Sequence, residues 1–152
     1  MKLNIISKNS LAYLGFAILI VGIFFNLRLD QIFFSNPFGI HYVRQTDSLA
    51  FATHYYHNGF NFFDTGILNN DSVNGKAVCE FPIIYYITAL LYTLFGEHLF
   101  ILKLLNLIVI IFGLFSLFQL SVRLFNDYFY AFLVPLFLFT STVFNYYVFN
   151  YF

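Results

Sequence analysis

Charged side chains are scarce in this sequence. They make up 9% of its 152 residues, whereas an ordinary soluble domain has about 25%. Seven basic residues balance seven acidic ones, so the chain has no basic surface with which to neutralise the phosphates of a nucleic acid. Its single cysteine excludes an internal disulfide. Because tryptophan is absent, an aromatic belt at a membrane interface would have to come from the 12 tyrosines and 24 phenylalanines.

Hydrophobic residues account for 61% of the chain and are gathered into long segments. Such segments predict transmembrane helices, which need about 20 apolar residues to cross a hydrocarbon core of about 30 Å. The sequence therefore predicts an all-α integral membrane protein, a polytopic helical bundle with one large outer loop at residues 30–81. The predicted spans are residues 11–29, 82–96, 99–122 and 128–149.

The first span competes with a cleaved signal peptide, since a basic leader followed by an apolar run is typical of both. Asn26, Arg28 and Asp30 follow the run where a cleavage site would have small residues, which favours an uncleaved helix. Lys2 and Lys8 ahead of the run favour a cytoplasmic N-terminus and so put the loop on the outer face. The sequence ends in aromatic residues without a polar tail, as expected for the N-terminal part of a longer polytopic protein.

Most of the reactive groups lie in one polar stretch, residues 41–82. It contains three of the four histidines and the only cysteine, and together with Asp30 it accounts for five of the seven acidic residues. Thr46 or Asp47 can cap a helix here, and Asn58-Gly59 can end it. We expect this helix, near residues 47–57, to lie along the outer membrane surface because it mixes polar and aromatic residues.

Four short motifs follow one another in this part of the chain. They are Arg44-Gln45-x-Asp47, N-G-F-N-F-F at 58–63, Glu80-Phe81-Pro82 and L-F-G-E at 94–97. In this order they resemble the N-terminal part of the GT-C-fold, polyprenyl-phosphate-sugar-dependent glycosyltransferases, the superfamily of the dolichyl-phosphate-mannose protein mannosyltransferases and the aminoarabinose transferases. The resemblance covers Leu11 to Phe152, so that residues 1–152 would form the N-terminal part of a GT-C-like transmembrane domain.

The resemblance implies a reaction and a location. A sugar would move from a polyprenyl-phosphate donor to a hydroxyl of a lipid, glycan or protein acceptor, with inversion at the anomeric carbon. The protein would be a multi-pass protein of a bacterial inner or cell membrane, in contact with membrane lipid and not with nucleic acid.

The resemblance also implies roles for single residues. Asp47 would be the catalytic residue, a general base that takes or orients the proton of the acceptor hydroxyl; the alternative is a helix cap. Arg44 would bind the donor phosphate, and its alternative is a salt bridge to Asp47 or Glu80. The further candidates for substrate binding are Gln45, His54, Lys76 and Glu80.

The resemblance departs from the family pattern at Glu80-Phe81-Pro82, where many members have a basic residue or histidine before two prolines. A carboxylate there repels a donor phosphate unless a cation lies between them. Arg44 and Lys76 are the available cations. We expect Asp47 and Glu80 to come together at one outer-face site.

A divalent metal ion is another way to reconcile these carboxylates with a phosphate, although nothing in the sequence requires one. Oxygen and nitrogen ligands are available from His41, His54, His57, Asp47 and Glu80. Two other functions stay open: a non-catalytic membrane protein that handles lipid-linked sugars, such as a flippase or polymerase-type module, and a structural subunit. The loop rings of Tyr55, Phe60, Phe62 and Phe63 suit either sugar stacking or packing on lipid.

Overall fold

The computed structural model describes residues 8–39, 41–67, 75–79, 81–148 and 150. These residues form seven helices and no β-strand, which confirms the predicted all-α fold. The helices are α1 (Lys8–Asn26), α2 (Leu29–Phe33), α3 (Tyr42–Asn58), α4 (Ile83–Phe95), α5 (Phe100–Phe125), α6 (Tyr128–Phe139) and α7 (Thr142–Val148).

Among the described residues, only α5 is by itself long and apolar enough to cross a membrane, with a mean hydropathy of 2.5. The apolar part of α1 and the 13 residues of α4 are shorter. The predicted fourth span, 128–149, is divided into α6 and α7, which are bent by 79°. Polar side chains stabilise this break because they bond the backbone groups that the bend leaves open. Thr140 donates to the carbonyl of Phe137, and Asn145 donates to that of Phe139.

α1 and α5 run in opposite directions. The ring of Tyr13, near the start of α1, contacts Phe118 near the end of α5. Leu29, just after α1, belongs to a cluster that includes Leu107, near the start of α5. The connection of α5 to α6 is short, and α6 packs back along α5, where Ala131 joins the buried cluster around Phe118. α1, α5 and α6 therefore form a bundle, which we call the three-helix bundle.

The remaining elements lie at one end of this bundle, which we call the polar end; it comprises the described residues from 27 to 99 together with α7. Within it, α3 packs along α4, and α4 contacts the first turn of α5. Ile84 and Tyr85 pack against the cluster of Leu102, and Tyr92 is in the same buried cluster as Ile101.

The orientation of α4 differs from the predicted topology. A single crossing by residues 82–96 between the first and third spans requires α1 and α5 to run in the same direction, whereas they are antiparallel. Hydropathy alone does not detect this, because it averages over the faces of a helix. On α4, Thr88, Ala89 and Tyr92 are buried and the other faces are more exposed.

α3 begins earlier than predicted. Its first residue is Tyr42 and its N-cap is His41, so the prediction that Thr46 or Asp47 caps it is wrong. The Thr46 hydroxyl donates to carbonyls of the preceding turn, at Tyr42 and Val43. The predicted end is confirmed: α3 stops at Asn58, followed by Gly59 with φ of 105°, a conformation that favours glycine.

Candidate functional site

Gln45 fixes the start of α3. Its side chain is completely buried. The amide nitrogen donates to the carbonyl oxygen of Phe38 at 2.8 Å and to the hydroxyl of Tyr146 at 2.9 Å. The amide oxygen accepts from the backbone N–H of Phe38 at 3.3 Å. Gln45 was predicted to bind substrate, but the structure uses its amide to hold the loop before α3 and the helix α7 together.

Arg44 and Asp47 lie next to this buried residue, on the first two turns of α3. They are three residues apart and therefore neighbours on the helix surface. Arg44 is exposed and Asp47 is half-buried. Within the described residues Asp47 forms no ion pair and no hydrogen bond, so the alternative salt bridge to Arg44 is not formed. Among these residues Asp47 is neither a cap nor a structural partner, which leaves its carboxylate available to a ligand.

His54 lies two turns further along α3, on the same face as Asp47. Its Nδ1 is 3.0 Å from the side-chain nitrogen of Asn58. Its ring lies against Gly66, where an added Cβ would be closer than 3.0 Å to the imidazole. His54 therefore contacts the loop that follows α3.

This loop forms a short antiparallel pairing, residues 62–67 with 75–79, which we call the hairpin. The backbone N–H of Ile67 donates to the carbonyl of Gly75 at 2.9 Å, and that of Ala77 donates to Thr65 at 3.2 Å. Lys76 was predicted to contact substrate; its ammonium group is 3.4 Å from the carboxylate of Asp64, and both side chains are exposed. Lys76 thus contributes to an ion pair within the hairpin.

Tyr55 and Tyr86 anchor the loop through its backbone. The hydroxyl of Tyr55 donates to the carbonyl of Phe62 at 2.7 Å, and that of Tyr86 donates to Phe60 at 3.3 Å. Burial, together with the negative charge of neighbouring groups, raises the pKa of Tyr55, so its hydroxyl keeps the proton that it donates. Of the rings predicted to stack on a sugar, Phe63 is the most exposed, at 90%.

Glu97 holds the other end of α3, a role that the sequence analysis missed. Its carboxylate accepts a hydrogen bond from the hydroxyl of Thr53 at 2.8 Å and lies 3.2 Å from Nε2 of His57. Thr53 and His57 are four residues apart and so present neighbouring polar groups on α3. The spacing of Thr53 and His57 is the one feature of the sequence that indicates a polar contact at this end of α3, but it does not indicate that Glu97 is the partner.

The described residues do not bring three histidine, cysteine, aspartate or glutamate side chains together as metal ligands. Each of the three candidate histidines in the polar stretch faces a separate partner: His41 the hydroxyl of Tyr147, His54 the amide of Asn58, and His57 Glu97. Glu80 lies outside the described residues, so its predicted meeting with Asp47 remains a prediction.

No protein-family model, curated protein or solved structure matches this chain. The glycosyltransferase hypothesis therefore rests on the motifs and on the geometry around Asp47.

Proposed function

We propose that the protein is a membrane glycosyltransferase that moves a sugar from a polyprenyl-phosphate donor to an acceptor hydroxyl. The observation that carries the proposal is the state of Asp47. It is a half-buried carboxylate inside a helix, it has no partner within the described residues, and Arg44 is exposed one turn away. A carboxylate with no structural partner is suited to accept a proton.

The roles follow from the charges. The acceptor oxygen forms a bond to the anomeric carbon while the bond between that carbon and the donor phosphate oxygen breaks. The acceptor proton goes to Asp47, and a general base of this kind contributes about 10²- to 10⁴-fold to the rate. The leaving polyprenyl phosphate gains negative charge, which Arg44 stabilises because its guanidinium can bond two phosphate oxygens at once.

The proposed membrane placement puts the polar end on the outer face. α1, α5 and α6 lie within the bilayer, with the N-terminus in the cytoplasm and α7 at the outer face. Only 28% of the apolar window of α5 is buried inside the structure. The remaining apolar surface is covered if it faces lipid, which supports this placement over a soluble core helix.

The test is Asp47→Asn in the intact protein, purified and reconstituted with polyprenyl-phosphate hexose and pentose donors. Asparagine keeps the size of the side chain but cannot take the proton. We expect transfer to fall at least about 100-fold, in line with the contribution of a general base. Asp64→Asn is the matched control, because it removes an exposed hairpin carboxylate and leaves α3 unchanged.

Full turnover by Asp47→Asn would show that this residue is not the base. If the intact wild-type protein binds a polyprenyl-phosphate sugar but never releases the phosphate, the non-catalytic lipid-linked-sugar module is correct instead.

A further inference from the structure

One face of α4 carries a continuous apolar stripe that no part of the described structure covers. The stripe consists of Ile83, Ile87, Leu90 and Leu94, all exposed. Their spacing of four, three and four residues puts them on one side of the helix. Another side of α4 packs on α3 through Tyr85 and Tyr92, whose rings contact Phe51 and Tyr56. α4 therefore has two apolar surfaces, one packed on α3 and one exposed.

The height of α4 along the bundle identifies the environment of the exposed surface. α5 has 26 residues and is about 39 Å long at 1.5 Å per residue, which exceeds the hydrocarbon thickness of about 30 Å. Its first turn, at Ile101 and Leu102, therefore lies at the level of the lipid headgroups when α5 crosses the bilayer. Since α4 contacts that turn, α4 lies at the same level.

The hairpin extends the same apolar surface. Phe63 and Val78 are 90% and 100% exposed. Phe81, immediately before α4, is also largely exposed, and its ring contacts Phe62 at a centroid distance of 5.4 Å. Phe81 thus joins the start of the stripe to the hairpin, in which Phe63 and Val78 are exposed, and the nearby Lys76 can reach anionic lipid headgroups.

We infer that α4 does not cross the membrane but lies in its outer interface, with the stripe towards the acyl chains and the exposed hairpin residues Phe63 and Val78 among the headgroups. A lipid leaflet is the occupant because the stripe stands at the headgroup level of a bilayer that also covers the exposed apolar surface of α5. α3 then lies beside α4 with Asp47 next to the membrane surface. The inference depends on the proposed crossing by α5, but not on the transfer reaction.

The absence of tryptophan from the chain allows a direct test, because a single introduced tryptophan is the only indole that fluoresces. Leu90→Trp places it at the centre of the stripe. Phe112→Trp is the reference, since Phe112 is exposed at the middle of α5. Each variant of the 152-residue chain is reconstituted into bilayers whose lipids carry bromine either near the headgroup or near the end of the acyl chain.

For Leu90→Trp we expect shallow bromine to quench about twofold more than deep bromine, with the opposite order for Phe112→Trp, because quenching requires contact at matching depth. Deep quenching of Leu90→Trp would overturn the inference, since the centre of a crossing α4 lies at mid-bilayer. If neither brominated lipid quenches the tryptophan of Leu90→Trp, the inference is also overturned, and the result would indicate that a protein partner covers the stripe.

Ile87→Trp is a second reporter in case Leu90→Trp does not fold, and the same outcomes apply to it. The proposed transfer reaction and the proposed interfacial position of α4 can be disproved independently of each other. Asp47→Asn does not change the depth of α4, and a crossing α4 would leave the Asp47 turnover assay as it is.

Discussion

The three-helix bundle and the polar end are held together by different kinds of contact. In the bundle, apolar rings pack on one another: Phe16 stacks on Phe118 with centroids 4.4 Å apart, and Phe132 contacts both. At the polar end, single polar side chains bond backbone carbonyls, as Gln45 does at Phe38 and Tyr55 does at Phe62. The packing of the bundle is spread over many small contacts, whereas the polar end adds to its packed rings a few hydrogen bonds from single side chains.

Lys103 should show this difference most strongly. It is 1% exposed, and its ammonium group donates to the carbonyls of Ile32 at 2.6 Å and Ser35 at 2.8 Å. A cation in the first turn of a helix is unfavourable, so these bonds to the loop after α1 must outweigh that term. Hydrogen bonds to charged groups contribute about 1.5–3 kcal/mol each. We expect Lys103→Met to lower the free energy of unfolding by about 3 kcal/mol, measured by SDS-induced unfolding in mixed micelles.

Leu114→Met in the bundle is the matched control. Leu114 is buried against Phe16 and Phe118, and an exchange of similar volume in a core costs less than about 1.5 kcal/mol. If the two variants lose equal stability, the contrast between the regions is wrong.

Gln45 allows the same contrast to be measured for one contact. We expect Gln45→Leu to lower the free energy of unfolding by about 2 kcal/mol, because it removes the hydrogen bonds that the buried Gln45 amide forms with the backbone of Phe38 and the hydroxyl of Tyr146. With Tyr146→Phe in a double-mutant cycle, the coupling should be about 1 kcal/mol. A coupling near zero would mean that the hydrogen bond to Tyr146 does not hold α7 to α3.

The same division explains how far the sequence could predict the fold. Hydropathy located α1 and α5 because their apolar residues are consecutive, and Asn58-Gly59 marked the end of α3 because glycine suits the conformation there. The start of α3 was missed because Gln45 bonds Tyr146, which lies 101 residues away in the chain. A single sequence contains no signal for that pairing.

The candidate site was predictable to a similar degree. The motifs drew attention to Asp47 and Arg44, which lie on neighbouring turns of α3. They did not show that Lys76 pairs with Asp64 or that Glu97 contacts Thr53, since each of these pairs depends on how the chain folds back. The packing of α4 could not be predicted for the same reason: its contacts with α3 and α5 do not follow from its own hydropathy.

Gly66 tests whether the hairpin is held in place by α3. A Cβ at this position would overlap the ring of His54, so Gly66→Ala must displace either the ring or the hairpin. Overpacking of this kind costs about 1–3 kcal/mol, and we expect the low end because the hairpin is near the surface. Hydrogen exchange should show faster exchange of the backbone N–H groups of Ile67 and Ala77.

Adding His54→Ala to Gly66→Ala should restore slow exchange, because it removes the ring that the new methyl group meets. Gly113→Ala is the control: nothing lies within 4 Å of a Cβ there, so that change should have no effect on the hairpin. Unchanged exchange in Gly66→Ala would mean that His54 does not position the hairpin.

Tyr55 should give the smallest effect and the one that depends on pH. Its hydroxyl bond to Phe62 is a neutral hydrogen bond, and Tyr55→Phe should cost about 1 kcal/mol at a pH of about 8. Burial first, and then the negative charge of Cys79, Asp64 and Tyr86, raises the pKa of Tyr55 above the usual value of about 10. The folded state then holds this proton more tightly than the unfolded state. The corresponding stability is complete below a pH of about 10 and is lost as the pH rises from there through the folded pKa.

Because the phenylalanine side chain of the variant has no proton to lose, the stability difference between wild type and Tyr55→Phe should shrink at a pH of about 10.5 to 11. The measurement is SDS-induced unfolding of both proteins at each pH, and the other tyrosines and lysines cancel in the difference. A difference that grows with pH would show that the folded state favours the Tyr55 phenolate, contrary to its burial.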